Sequence, residues 1–231
     1  MNEEIFRYFP HIIFTIILFT VIYLYYRERK RDKDINEFIN KNGFTPESTE
    51  LIISFLGGGV RNFLLGWQVF FGKDLKIFNI GHAKRVRNGF SVNFNNSKIY
   101  FFDYNYTVGG GKSSTTYSLT IAVFKSANNI PQFHLRPEGF LDKISELFGY
   151  NDIDFEHRPL FSKKYYLKSN DEIGVRNLFN DMLIEFFESN PNFYAESNNN
   201  IIAIYKYSLL DPKNYSSFID DVKNILTLMK A

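Results

Sequence analysis

Hydrophobic and polar positions alternate in three different rhythms along this chain. From Ile12 to Tyr26 it reads IIFTIILFTVIYLYY, fifteen residues without a charge and with two threonines as interruptions. Adding Tyr8, Phe9, Pro10 and His11 gives a run over residues 8–26, which as a helix covers roughly 28 Å, close to the hydrocarbon thickness of a bilayer. A single transmembrane helix is the expectation. The basic stretch RERKRDK carries that helix onward through Ile35, Phe38 and Ile39 to Lys41-Asn42-Gly43, where an Asn-Gly signal ends it. A short second helix starts at Thr45-Pro46-Glu47-Ser48, with Ser48 or Thr45 as its cap and Leu51, Ile52 and Phe55 as its apolar face. Gly57-Gly58-Gly59 closes it.

The middle third turns to period two. Strands are expected at Trp67–Phe71, Leu75–Ile80, Phe90–Phe94 and Lys98–Thr107. In the last of these Tyr100, Phe102, Tyr104 and Tyr106 share one face while Asp103, Asn105 and Thr107 take the other. Beyond Gly109-Gly110-Gly111, TTYSLTIAVF alternates in the same way, so the two runs pair as an antiparallel hairpin. The final third mixes both periods. Helices are expected over 140–148, over 171–189 with Asn170 or Asp171 as cap, and from Asp211-Pro212 onward. Tyr215, Phe218, Ile219, Val222, Ile225, Leu226 and Met229 form the buried stripe of the last. Asp152–Phe155 and Tyr165–Lys168 read as short strands, and Phe193–Tyr207 as a hairpin around Asn198-Asn199-Asn200. Strand clusters followed by helix clusters predict an α+β fold: an N-terminal transmembrane helix, then a domain with a mainly antiparallel sheet and packed helices.

Composition sharpens this in two places. Aromatic residues make up 18% of the 231, which supplies a sizeable core, and the absence of cysteine excludes disulfides, thiolate metal sites and cysteine nucleophiles. Charge then sets a topology. Glu3, Glu4 and Arg7 leave −1 before the span, whereas residues 27–34 hold five basic and three acidic side chains. Basic residues stay on the cytoplasmic side, so the expected arrangement is N-terminus out and residues 27–231 cytoplasmic. A signal peptide would carry its charge in the reverse order and end in small residues. The chain thus divides into a membrane anchor with its basic collar, 1–34, and a soluble body, 35–231. The whole chain carries +2, so the body is left with about +1, too little for a nucleic-acid binder, which needs a concentrated basic footprint.

Candidate chemistry is sparse. Gly109-Gly110-Gly111-Lys112-Ser113 resembles half of a phosphate loop, but Tyr106 stands where the first glycine belongs and a strand follows instead of a helix. It is a hairpin tip. Asp152, Asp154 and Glu156 share one face of their expected strand and could hold a hard divalent ion; the alternative is a solvated strand edge. Arg136, in Arg136-Pro137-Glu138, could clamp an anion or serve as an ion-pair anchor. His11, His82, His134 and His157 have no zinc-site spacing, and no serine sits in a nucleophile elbow. No catalytic, cofactor or metal residue is assigned on these grounds.

From FFDYNYTVGGGKSSTTYSLTIAVF onward the chain resembles a group of uncharacterised bacterial single-span membrane proteins. The likeness runs through Ile130–Glu138, Phe148–Phe155, His157–Ser162 and Asp171–Phe179, with Arg-Pro-Glu, Asp-Ile-Asp-Phe and Pro-x-Phe-Ser as landmarks. It implies a bacterial membrane protein and carries no catalytic residue with it. The expected function is a membrane-tethered, non-catalytic binding or scaffolding module, with the bilayer and a protein at the membrane as partners. Two alternatives stand beside it. One is a metal-dependent hydrolase or transferase using Asp152, Asp154 and Glu156 with Arg136; the other is an anionic-lipid binder using Lys84, Arg85 and Arg87.

Overall fold

The computed structural model describes residues 3–63, 66–72, 74–138 and 152–231, and the chain forms two units, Met1–Gly43 and Phe44–Ala231. The helix expected over 140–148 lies outside the described residues.

The first unit is one helix, α1 (Glu3–Asn42), 40 residues and about 60 Å long. It runs through residue 34 without a break. Its large apolar side chains between Tyr8 and Tyr26 are all exposed, and it is long and apolar enough to cross a membrane. The two threonine hydroxyls of this stretch are satisfied within the helix: Thr15 donates to the His11 carbonyl at 2.7 Å and Thr20 to the Ile16 carbonyl at 2.8 Å. Lipid offers no other partner, so such back-bonding suits a spanning helix. At the basic collar the Arg29 guanidinium lies 5.3 Å from the centre of the Tyr25 ring and donates to its hydroxyl. Asn42 donates to the Phe38 carbonyl, and Gly43, at φ +65°, turns the chain off the axis.

The second unit is built on an antiparallel sheet of eight strands: β1 (Thr45–Pro46), β4 (His82–Phe94), β5 (Ser97–Val108), β6 (Thr115–Lys125), β7 (Phe133–Pro137), β8 (Tyr165–Lys168), β9 (Tyr194–Asn198) and β10 (Ile201–Lys206). Their order is β1-β4-β5-β6-β10-β9-β7-β8. A separate hairpin joins β2 (Gly59–Phe63) to β3 (Gly66–Phe70). The fold is α+β, as the sequence predicts. Two-residue Asn-Asn turns set both long hairpins: Asn95 and Asn96 between β4 and β5, Asn199 and Asn200 between β9 and β10, all four with positive φ. That is the backbone a tight hairpin requires, and asparagine tolerates it.

Both faces of the sheet are covered. On one side α2 (Thr49–Phe55) and the segment 71–80 pack Ile52, Ile53, Phe71 and Phe78 against Phe102, Tyr104 and Ile121. Gly89 makes this approach close: a Cβ there would stand 2.3 Å from Ile52 Cδ1. The other side is filled by α5 (Asp181–Ser189) and α6 (Tyr215–Leu228), where Phe218 meets Phe101 and Phe193, and Tyr215 meets Phe90. α3 (Pro159–Lys164) and α4 (Glu172–Leu178) complete the unit.

Several local expectations are corrected. Residues 75–80 form a 3-10 turn at Lys76–Phe78, not a strand. Helix 171–189 is two helices, because Asn180 accepts from the Met182 and Leu183 N–H groups and starts a new one. Ser48, one of the two expected caps, does cap α2, but on its apolar face Ile53 rather than Leu51 turns inward. β4 begins at His82, well before Phe90, and Asp152–Phe155 makes one bridge, Asp152 to Lys168, instead of a strand.

Candidate functional site

The register of the sheet sets two adjacent rows of side chains on opposite faces. One runs Pro46, Phe90, Phe101, Ala122, Ile204, Ala195, Leu135, Leu167, apolar in every strand. The other runs Thr45, Ser91, Tyr100, Val123, Ala203, Glu196, His134, Lys168, and the Asp152 bridge extends it by one residue. Its last four members are polar or charged, and they lie on the face that carries the Phe102–Tyr104 core.

Glu196 is the most buried of them, 3% exposed. Its two carboxylate oxygens accept the Lys76 and Ile77 backbone N–H groups, each at 3.0 Å. A carboxylate at the start of a helical turn satisfies donors that the turn leaves open, which is why residues 76–78 coil here instead of extending. Burial pushes the Glu196 carboxyl up to about 7, against the pull of the two N–H donors and the Lys76 charge. The Glu196 charge in turn helps burial to raise the Tyr104 and Tyr205 phenols. Next along the row, His134 is pushed down to about 3, first by burial and then by the charges of Lys76, Arg136 and Lys168. Burial also lowers Lys76, with Glu196 opposing and Lys168 adding to it.

Glu196, His134, Lys76 and Lys168 line a small open cleft together with Asp74, Gln132, Ser169 and Asn198. The rim is braced. Ser169 Oγ donates to the Gln132 carbonyl and accepts from the Asp171 N–H, while Asn198 and Asn199 donate to the carbonyl and carboxylate of Asp74.

None of the candidate residues singled out in the sequence lines this cleft. Arg136, two positions along β7 from His134, stacks on its cross-strand neighbour Tyr166 with 4.2 Å to the ring centre and donates to the Pro137 carbonyl at 3.4 Å. Asp152 is half-buried; its Oδ1 accepts the Leu167 N–H at 2.9 Å, and burial raises its carboxyl. Asp154 and Glu156 are exposed, and the Asp154 carbonyl accepts from Arg176. Among the described residues no three His, Asp or Glu side chains gather where they could hold a metal ion. The landmark motifs tie together: Ser162 Oγ accepts the Phe155 N–H at 2.9 Å, and Ile153, Phe155 and Phe161 are core. Lys84 donates to the Phe78 carbonyl at 2.7 Å, while Arg85 and Arg87 face Asn105 and Asp103 across the ladder.

Glu196, Lys76 and Lys168 were not marked by any motif. The available signal was alternation: in Tyr194-Ala195-Glu196-Ser197-Asn198 period two puts a carboxylate on the same face as Tyr194, where an apolar residue is expected. No protein-family model, curated protein or solved structure matches this chain, so the site stands on its own residues.

Proposed function

We propose that the protein is a single-span, membrane-tethered binding module without catalytic activity, holding its α+β body on the cytoplasmic face of a bacterial inner membrane for a protein partner there. The observation that carries this reading is α1: apolar side chains exposed all round between Tyr8 and Tyr26, followed at once by five basic residues in RERKRDK. Tethering confines the body to the membrane plane and raises its concentration relative to membrane-bound partners. The bacterial setting rests on the motif resemblance. The carboxylates that an enzyme reading would use serve other ends, Asp152 holding a backbone N–H and Asp154 and Glu156 lying exposed.

The natural absence of cysteine makes the test clean. Asn2→Cys in intact cells should react with a membrane-impermeant maleimide, and Ala231→Cys only after lysis, with both variants staying in the carbonate-washed membrane pellet. Labelling of Ala231→Cys in intact cells would invert the topology, and release by carbonate would remove the anchor.

A further inference from the structure

The sequence contains two Asn-Gly pairs, Asn42-Gly43 and Asn88-Gly89, and the fold sets them in opposite surroundings. Such a pair carries an intrinsic chemistry, because a glycine N–H, with no Cβ beside it to shield it, can reach the side-chain carbonyl carbon of the preceding asparagine. Asn42 is the last residue of α1 and, like Gly43, is exposed. Gly43 has open space where a Cβ would stand, and its N–H donates to the Asn40 carbonyl at 3.3 Å, a long bond. The Asn42 amide donates to the Phe38 carbonyl at 2.8 Å, within the final turn, where helices fray. Asn88-Gly89 is clasped instead. It forms a bulge between Arg87 and Phe90, both paired with β5. Asn88 Nδ2 donates to the Asp103 carboxylate at 2.9 Å, and the Gly89 carbonyl accepts the Glu47 N–H at 2.9 Å. A Cβ at Gly89 would stand 2.3 Å from Ile52 Cδ1, so α2 leaves this backbone little room to turn.

We infer that Asn42-Gly43 is a site of spontaneous covalent modification, isoaspartate formation at the end of α1, and that the fold withholds the same reaction from Asn88-Gly89. The Gly43 nitrogen gives its proton to solvent base and bonds to Asn42 Cγ. The Cγ–Nδ2 bond then breaks and ammonia leaves, which closes a five-membered succinimide. Water opens that ring at either carbonyl. One opening gives aspartate; the other gives isoaspartate, with the main chain rerouted through the side-chain carbon. One water is consumed and one ammonia released, and no oxidant or reductant takes part. The ring closes only from a near-attack arrangement of Cγ and nitrogen, which a fraying helix end visits and a clasped bulge does not. The product alters the helix end. The amide donor to Phe38 is gone, and a carboxylate stands at the negative end of the helix dipole. Residues 39–42 are thereby loosened beside Gly43, the last residue of the first unit. The inference does not depend on how the anchor is inserted.

The test ages the full chain in detergent at mildly alkaline pH and digests it under acidic conditions, with mass spectrometry locating the amide-to-acid mass gain at each pair. In the folded chain Asn42 should convert at least about tenfold faster than Asn88. With the body unfolded in urea the two rates should converge, because only the fold separates them. Asn42→Gln, whose longer side chain would have to close a six-membered ring, should gain no mass at that position. Amide exchange over residues 39–42 should be faster in the converted chain than in the fresh one. Equal rates at the two pairs in the folded chain, or folding that slows Asn42 as strongly as Asn88, would overturn the site. Unchanged exchange in the converted chain would overturn the loosening of the helix end.

Discussion

One residue of register separates the two rows that cross the sheet, yet they differ in chemistry at their ends. The row through Phe90, Phe101, Ile204 and Leu135 is apolar across all eight strands, whereas its neighbour passes from Tyr100, Val123 and Ala203 to Glu196, His134 and Lys168. The covering elements account for the contrast. Across the first row α5 and α6 supply a continuous wall that includes Phe187, Phe218, Ile219 and Val222. Over the second, the hydrophobic cluster covers Tyr100, Val123 and Ala203, while above Glu196 comes a three-residue turn whose own N–H groups demand an acceptor. A buried face that ends in a short turn instead of a helix obliges the sheet to supply polar atoms, and the cleft forms where that obligation is met. The continuous apolar row and the polar cleft thereby fall on opposite faces of the same strands.

The largest effect that tests this division is expected at the centre of the apolar row. Phe101 is fully buried, stacked on Phe90 with ring centres 5.2 Å apart and meeting Phe218 edge-on. Phe101→Ala should cost about 3–5 kcal/mol in a denaturant titration of the detergent-solubilised chain, the sum of lost transfer energy and the cavity left behind. Lys168→Ala, at the end of the other row, should cost a small fraction of that. Equal losses would erase the distinction between the rows.

The polar row should instead reveal itself through pH. His134 has its folded-state pKa depressed from 6.5 to about 3, so the unfolded chain binds its proton first; the stability this gives is complete above pH 6.5 and is lost as pH falls. Glu196 has its pKa raised from 4.5 to about 7, so the folded chain holds the proton longer; that contribution is complete below pH 4.5 and is lost as pH rises toward 7. The full shifts correspond to roughly 5 kcal/mol for His134 and roughly 3 kcal/mol for Glu196, and between pH 4.5 and 6.5 their slopes oppose. The parent should therefore show a nearly flat stability profile across that window. His134→Gln should leave stability falling with pH there and Glu196→Gln should leave it rising, as read from unfolding midpoints at each pH. Parallel profiles in the two variants would mean that these groups do not titrate against one another across β7 and β9.

Much of this architecture is legible in the sequence because its signals are local. The run from Ile12 to Tyr26, the Asn-Asn turns and the alternation in Lys98–Thr107 and TTYSLTIAVF each lie within a short window, and all appear as helix, turns and paired strands. The seven apolar positions from Tyr215 to Met229 are all buried. What escapes depends on distant partners. The period of 171–189 carries on across the break because Phe179 and Leu183 both face inward; only the cap made by Asn180 divides the helix. Leu75–Ile80 has strand composition, and a carboxylate 120 residues away coils it. The site escapes for the same reason, since His134, Lys168 and Glu196 come together only through strand order and Lys76 through the turn that Glu196 holds. Asp152 and Arg136 are conspicuous in the sequence and fall beside the cleft, one at the end of the polar row and one next to His134.

The smallest expected effect asks how far that row extends. Asp152 offers Oδ1 to the Leu167 N–H, and the backbone bond from Ile153 N–H to the Leu167 carbonyl, at 2.8 Å, holds the same segment against β8. Asp152→Ala leaves a half-buried N–H without its acceptor, at a cost of about 1–2 kcal/mol. Asp152→Asn keeps an oxygen in the same place and removes a carboxylate that burial already disfavours, so it should recover most of the loss. Asp154→Ala and Glu156→Ala, both at exposed side chains, should leave the thermal midpoint where it is. With that ranking, Asp152 belongs to the row as a backbone tie, and the three carboxylates are not a functional unit. If Asp154→Ala or Glu156→Ala instead matched Asp152→Ala, the segment would act as one cluster and the row would end at Lys168.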